Sequence, residues 1–277
     1  MRVVSFALLL FFFGCSNATT GTDGGGDTMT AEERAGFDVG APSTPAAVQL
    51  TALTDKLFKF DPTIDTAQTA LQNAQNVVTE IQKNLGAAGD GGTACGSVSL
   101  MGTTVTASFG APPGCTLGNL TVSGTIAISV NKIASSITLA VTFTSVTVNG
   151  ELLSGMATFA TSNGTTFTLN ANVTWQKTTY IATGFTVTGA VGSITLDGAL
   201  SVMGDAATSL TFAGVLWKQG DCYPSAGTLT IKKATLTETI TFSAASATTG
   251  QVTVTIGKKT VPGQLPAYGK CGAKDGG

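Results

Sequence analysis

Residues 120–130, LTVSGTIAISV, carry an apolar or small side chain at every second position, with Thr, Ser or Ala between them. A period of two is that of an extended strand, whose successive side chains point to opposite faces of a sheet. The alternation recurs at 137–143, 167–175, 194–202 and 252–256, and turn signals separate the runs at Asn149-Gly150, Asn163-Gly164 and Gly204-Asp205. The sequence therefore predicts a mainly β domain over residues 94–272. We expect a large antiparallel meander of about ten or eleven strands, built as a barrel, a half-barrel or a sandwich.

The phase of this alternation slips near Ser145 and Gly184, which predicts β-bulges where long strands bend. Period two alone fits an apolar face turned inward or an outer-membrane barrel with that face turned outward. Membrane barrels carry girdles of aromatic residues, whereas this chain has three Tyr and two Trp. We therefore expect the apolar face to form a core.

Two amphipathic helices are predicted ahead of the sheet, within residues 44–86. Thr44-Pro45 and Asp61-Pro62 are start signals, and Gly86 ends the second helix. Apolar residues recur at helical spacing at Leu50, Leu53, Leu57 and Phe60, and then at Ile64, Ala67, Leu71, Ala74, Val78, Ile81 and Leu85. We expect both helices to pack on the sheet, and a partner-binding seam along the second one is the alternative.

The first sixteen residues have the layout of an export signal. Arg2 precedes an apolar run over residues 3–13, which is too short to span a bilayer, and Gly14-Cys15 follows it. The segment resembles the lipobox of bacterial lipoproteins. That resemblance implies a signal peptide over 1–14, lipidation of Cys15 and a location in the cell envelope. Ser16 after the cysteine is compatible with the outer membrane, at its periplasmic face or at the cell surface.

Residues 15–43 are rich in Gly, Ser, Thr and Asp and show no apolar periodicity, so we expect a flexible tether.

Four cysteines remain in an oxidising compartment once Cys15 is assigned to a lipid. Three pairings are possible, and we favour Cys95 with Cys115 and Cys222 with Cys271 because each pair flanks one stretch of chain. A zinc site is the competing interpretation. It lacks support because the chain has neither a CxxC motif nor any histidine.

Composition limits the chemistry that the chain can perform. Charged residues make up 11%, the net charge is −2, and the absence of His removes Ser-His-Asp and Cys-His arrangements. No clustered basic face is present, so no nucleic-acid partner is expected. The sequence proposes no catalytic, cofactor-binding or metal-binding residue.

Several polar features are candidate sites. Glu151, Asp197 and Glu238 are predicted at or near turns without a converging partner, and the stretch 221–224, DCYP, is interpreted as a wide turn held by a disulfide. The motif TxT recurs, for example at Thr104 to Thr106 and Thr253 to Thr255. Its uneven intervals do not fit an ice-binding solenoid, and threonines on the solvent face of strands explain the motif.

These observations predict an exported, lipid-anchored envelope protein with a non-enzymatic structural or adhesive role. Its partners would be the membrane, through the N-terminal lipid, and a protein, glycan or apolar ligand of unknown identity. The first alternative is a carrier or receptor for lipid or another apolar ligand, since the expected architecture is similar in outline to the half-barrel carriers of bacterial lipoprotein sorting. A carboxylate-based hydrolase is the second alternative.

Overall fold

A computed structural model describes residues 64–86, 95–117, 120–175, 177–190, 193–203, 208–218 and 221–265. Helix α1 is Ala70–Gly86 and the short helix α2 is Ser246–Thr249. The strands are β1 (Ser97–Met101), β2 (Thr104–Ser108), β3 (Cys115–Leu117), β4 (Leu120–Ile133), β5 (Ser136–Val148), β6 (Glu151–Thr161), β7 (Thr166–Trp175), β8 (Thr178–Ala190), β9 (Ser193–Met203), β10 (Thr208–Lys218), β11 (Ala226–Lys233), β12 (Leu236–Thr241), β13 (Gln251–Ile256) and β14 (Lys259–Gln264).

All fourteen described strands belong to one antiparallel sheet. Strands that follow one another in the chain are neighbours, except that β2 and β3 both pair with β4. The sheet is open, because β1 and β14 are its edges and do not pair with each other. The predicted mainly β class and antiparallel meander are confirmed. There are more strands than the ten or eleven expected because β1, β2 and β3 have three to five residues each, too few to show several periods.

Pairing places the apolar residues of successive strands on one face, because directly opposed residues share a face of the sheet. We call it the inner face, and its buried side chains include Ile128, Leu139, Phe159, Leu169, Leu196, Phe212, Leu229, Ile240 and Val254. The residues between them form the outer face, which is rich in threonine. The apolar face is thus the buried one, as predicted, and its side chains form one continuous core cluster.

Three of the long strands contain a bulge in their middle. The pairing register shifts between Phe143 and Val146 in β5, between Ala182 and Thr186 in β8, and between Phe212 and Val215 in β10. Ser145, Gly184 and Gly214 each adopt a positive φ at these points. The predictions at Ser145 and Gly184 are confirmed, whereas the bulge at Gly214 was missed. Each bulge adds one residue without moving later side chains to the other face, so the core continues across the bend.

Glycines on neighbouring strands make room for the bulges. A Cβ on Gly124 in β4 would overlap the carbonyl oxygen of Ser145, and a Cβ on Gly227 in β11 would overlap that of Gly214. Both glycines also adopt a positive φ, which side chains rarely tolerate. The bends therefore require glycine at these two positions.

Polar side chains satisfy the backbone amides at two of the bulges. The N–H of Gly184 donates to Oδ1 of Asn170 in β7 at 2.9 Å, and the N–H of Gly214 donates to Oδ1 of Asp197 in β9 at 2.6 Å. A bulge removes these amides from the regular pairing pattern, and the side chains replace the lost acceptors.

Helix α1 begins later than the predicted start at Asp61-Pro62. Thr69 and Gln72 form a capping box, in which Gln72 N–H donates to Thr69 Oγ1 at 3.2 Å and Thr69 N–H donates to Gln72 Oε1 at 2.9 Å. This reciprocal pair fixes the helix terminus. Leu71, which belongs to the predicted apolar stripe, is 45% exposed.

The helix covers only one margin of the sheet. It lies against β1, β2 and β4 and buries Ala74, Val77, Ile81 and Leu85. Lys132 of β4 secures the preceding turn by donating to the carbonyl oxygens of Thr66 at 2.6 Å and Gln68 at 2.7 Å. The second predicted helix thus packs on the sheet, whereas the first, at 44–60, lies outside the described residues.

We predict that Asp197→Ala lowers the free energy of unfolding by about 1 kcal/mol, because the Gly214 amide loses its acceptor at the β10 bulge. Asp197→Asn keeps an oxygen at that place and should lose less than half as much. Urea unfolding measures both, with Glu151→Ala at the exposed start of β6 as control. Equal losses for the Asn and Ala variants would show that the hydrogen bond is not what stabilises the bulge.

Candidate functional site

The three described cysteines, Cys95, Cys115 and Cys222, are all disulfide-bonded, as predicted. Cys95 and Cys115 are bonded, with Cα atoms 5.3 Å apart, which confirms that pairing. Cys222 is also disulfide-bonded. Cys271 and Cys15 lie outside the described residues, so the pairing of Cys222 with Cys271 and the lipidation of Cys15 stay predictions.

The stretch around Cys222 forms a turn that precedes β11. The backbone N–H groups of Cys222 and Tyr223 donate to the carbonyl oxygen of Ala247, within α2, at 2.9 and 3.2 Å. Trp217 donates from its indole N–H to the carbonyl oxygen of Asp221 at 2.9 Å. Tyr223 is buried. These contacts give the loop a structural role at the end of β10.

The three carboxylates considered in the sequence occupy different environments. Glu151 starts β6 and is exposed, which fits its predicted place beside a turn. Asp197 lies in the middle of β9 and not near a turn, so that prediction is wrong. Glu238 is the third residue of β12 and lies close to the β11–β12 turn, which fits its predicted place. Asp197 lies within β9 on the outer face and accepts from Gly214, while Glu238 lies within β12 on the inner face. The structure does not bring the three together, because they belong to β6, β9 and β12.

Glu238 is the one acidic or basic side chain that is buried among the residues the structure describes. It is 2% exposed, and neither carboxyl oxygen has a hydrogen-bond partner. Its direct cross-strand neighbours are Ile231 in β11 and Ile256 in β13. Burial among these apolar side chains disfavours the ionised form and raises the pKa of Glu238 from 4.5 to about 7. The group is therefore largely neutral below neutral pH.

A sequence signal for this position did exist. Leu236, Glu238, Ile240 and Phe242 follow one another at period two, and this phase assigns Glu238 to the apolar face. The prediction near a turn did not include burial, and a carboxylate is rarely buried without a partner.

Three polar residues lie on the same face beyond the direct neighbours of Glu238. Lys233 is directly opposite Leu236, which makes it a diagonal neighbour of Glu238 at roughly 7–8 Å between Cα atoms. Lys259 is opposite Ile256, two strands from Glu238 and so roughly 10 Å away. Thr208 is opposite Lys233. We call Glu238, Lys233, Lys259 and Thr208 the Glu238 site, and it lies toward the β11–β12 and β13–β14 turns.

The outer face carries a second unusual feature over β10–β14. Thr211, Thr230, Thr239, Thr255 and Thr260 are successive cross-strand neighbours, and Thr228, Thr241 and Thr253 form a second row beside them. We call these eight residues the threonine array. Two cross-strand pairs share hydroxyl hydrogen bonds, Thr230 with Thr239 at 3.3 Å and Thr255 with Thr260 at 3.1 Å. All eight side chains are half-buried or exposed.

Uneven TxT intervals in the sequence concealed this array. Strands β11, β12 and β13 each contribute two threonines at alternate positions to the array, and the hairpins bring the three pairs into register although the intervening loops differ in length. Regular sequence intervals between TxT motifs are a test for a solenoid. In a meander, the alignment of threonines depends instead on how neighbouring strands pair.

Within the described part of the chain, no group of three or more His, Cys, Asp or Glu side chains could hold a metal ion. Neither described helix has the length and apolar character of a transmembrane span. Comparison with protein-family models, with curated proteins and with solved structures finds no match for this chain.

We predict that Glu238 makes the protein less stable as pH rises. Below pH 4.5 the carboxyl is protonated in the folded and unfolded chains alike. Between 4.5 and about 7 the unfolded chain releases a proton that the folded chain retains, so the free energy of unfolding falls. The pKa difference corresponds to a loss on the order of 3 kcal/mol.

The E238Q variant should lack this part of the pH dependence, because an amide does not titrate. Denaturant unfolding across the same pH range measures it, and E151Q serves as the control at an exposed carboxyl. An unchanged slope in E238Q would rule out Glu238 as its source.

Proposed function

We propose that the chain is an exported, lipid-anchored envelope protein with a non-enzymatic structural or adhesive role, and that the threonine array is its contact surface. The observation that carries this proposal is the in-register array. Eight threonines over five adjacent strands form an outer surface without a charged residue in either of its rows. Each side chain offers a hydroxyl that can donate and accept, next to a methyl group.

Such a surface suits a large uncharged partner. The β-branched side chains are restricted at χ1, so that ordering them on contact costs little conformational entropy. The hydroxyls repeat every 4.7–4.9 Å or so across the strands, which favours an extended, repetitive partner such as an envelope polymer over a compact ligand. The predicted lipid on Cys15 and the tether over 15–43 would hold this surface at the membrane.

The lipid anchor is tested by metabolic labelling of the full chain with radioactive palmitate in a bacterial host. We predict that the wild-type chain incorporates the label and fractionates with membranes, and that Cys15→Ala abolishes both. Ser16→Ala, a change at the next residue, should retain them. Label in the Cys15→Ala chain would contradict lipidation at this cysteine.

Adhesion by the array is tested with co-sedimentation of the unlipidated full chain with isolated envelope fractions. We predict that Thr230→Lys combined with Thr253→Lys weakens binding at least about tenfold, since two charges would be desolvated on contact. Thr142→Lys with Thr168→Lys adds the same charge to the outer face of β5 and β7 and should bind like the wild type. Equal binding by both double variants would exclude the array as the contact surface.

The second candidate function is a carrier or receptor for an apolar ligand, and the buried Glu238 favours it. A carboxyl without a hydrogen-bond partner among isoleucines lowers stability, as expected of a group that serves a ligand. This function would use the inner face, so it does not compete with a contact surface on the outer face.

A further inference from the structure

The side chains of the Glu238 site indicate which kind of ligand it would bind. Leu210, Ile231, Glu238 and Ile256 occupy one row across β10–β13, and Glu238 is the only member that is not apolar. A leucine in its place would continue the core of the sheet. The carboxyl adds a hydrogen-bonding group that the described residues leave unused.

The charged side chains around this carboxyl indicate whether the polar head group of an apolar ligand would be anionic or cationic. Lys233 lies on the same face as a diagonal neighbour, and Lys259 lies two strands away on β14, opposite Ile256. No carboxylate other than Glu238 lies on the inner-face positions of β11–β14. Two lysine side chains would therefore repel a cationic head group and attract an anionic one.

We propose that the Glu238 site binds the carboxylate of a long-chain fatty acid. This inference rests on the second of the two functions proposed above. The neutral Glu238 O–H donates to one oxygen of the ligand carboxylate, and the Lys233 ammonium donates to the other. The alkyl chain lies against the inner face beside Ile231 and Ile256.

Access to the site is from the turns at the nearby end of the sheet. Glu238 is only the second inner-face residue of β12 from the β11–β12 turn, and Leu236, Lys233 and Lys259 before it are half-buried rather than buried. A head group entering at this end passes the two lysines before it reaches the carboxyl.

The protonation state of Glu238 should couple to binding. Because burial raises its pKa to about 7, the carboxyl holds the donated proton below neutral pH and loses it above. Loss of that proton would place two carboxylates side by side, so fatty-acid affinity should fall as pH rises.

The test measures binding of palmitic acid, hexadecylamine and hexadecanol to the folded full chain, by displacement of a fluorescent fatty acid on either side of neutral pH. These three ligands share an alkyl chain and differ in the head group. We expect palmitic acid to bind best, with affinity falling at least about tenfold from about pH 6 to about pH 8.

Four variants assign the contacts. E238L should weaken palmitic acid about tenfold or more, while E238Q, whose amide donates at every pH, should bind it without the pH dependence. K233M should weaken binding, and K232M should not, since Lys232 is the adjacent lysine on the outer face. Circular dichroism and thermal melting verify that each variant is folded.

Each other outcome overturns the inference in its own way. Preferred binding of hexadecylamine would reverse the assigned charge. Equal binding of all three ligands, unaffected by E238L, would leave the carrier function standing without a carboxylate site. If none of the three binds, the carrier function fails together with the site.

Discussion

The structure depends on one constraint, which is that each long strand keeps its buried apolar residues on the same face over its whole length. A shift of one residue in any pairing would move a row of isoleucines and valines into water and a row of threonines into the core. Strands of ten or more residues make this constraint demanding, because a long sheet must also twist and bend. The bulges at Ser145, Gly184 and Gly214 meet both demands, since they bend the strands without exchanging the faces.

Separation of the faces also divides the chemistry. The outer face can be covered with uncharged hydroxyls because threonine fits a solvated strand well, and the meander then brings residues that are distant in sequence into rows. The same period-two alternation determines which residues lie on the inner face, and Glu238 is one of them. One array of hydroxyls and one buried carboxyl thus arise from the same alternation on opposite sides of the sheet. The two proposed functions are consequently independent and can be tested separately.

Period and turn signals were sufficient to predict the β class, the antiparallel meander and the bulges at Ser145 and Gly184, while nearness in sequence favoured the pairing of Cys95 with Cys115. These predictions are correct because each depends on residues that are close in sequence or on a regular alternation of apolar residues. The start of α1 was predicted too early because the prediction used only the proline signal at 61–62, whereas the Thr69–Gln72 capping box fixes the helix terminus. The threonine array could not be predicted, since cross-strand register depends on hairpin geometry. The burial of Glu238 was not predicted, although the phase of β12 assigns this residue to the apolar face.

Alkylation of single cysteines in β12 tests the separation of the faces most directly. In the folded full chain, Thr237→Cys and Thr241→Cys should react with a maleimide at close to the rate of an unfolded chain, because both side chains are exposed on the outer face. Ile240→Cys, on the inner face between them, should react at least about a hundredfold more slowly, as expected of a site opened only by local or global unfolding. Similar rates at all three positions would contradict the two-faced sheet from which both proposed functions are argued.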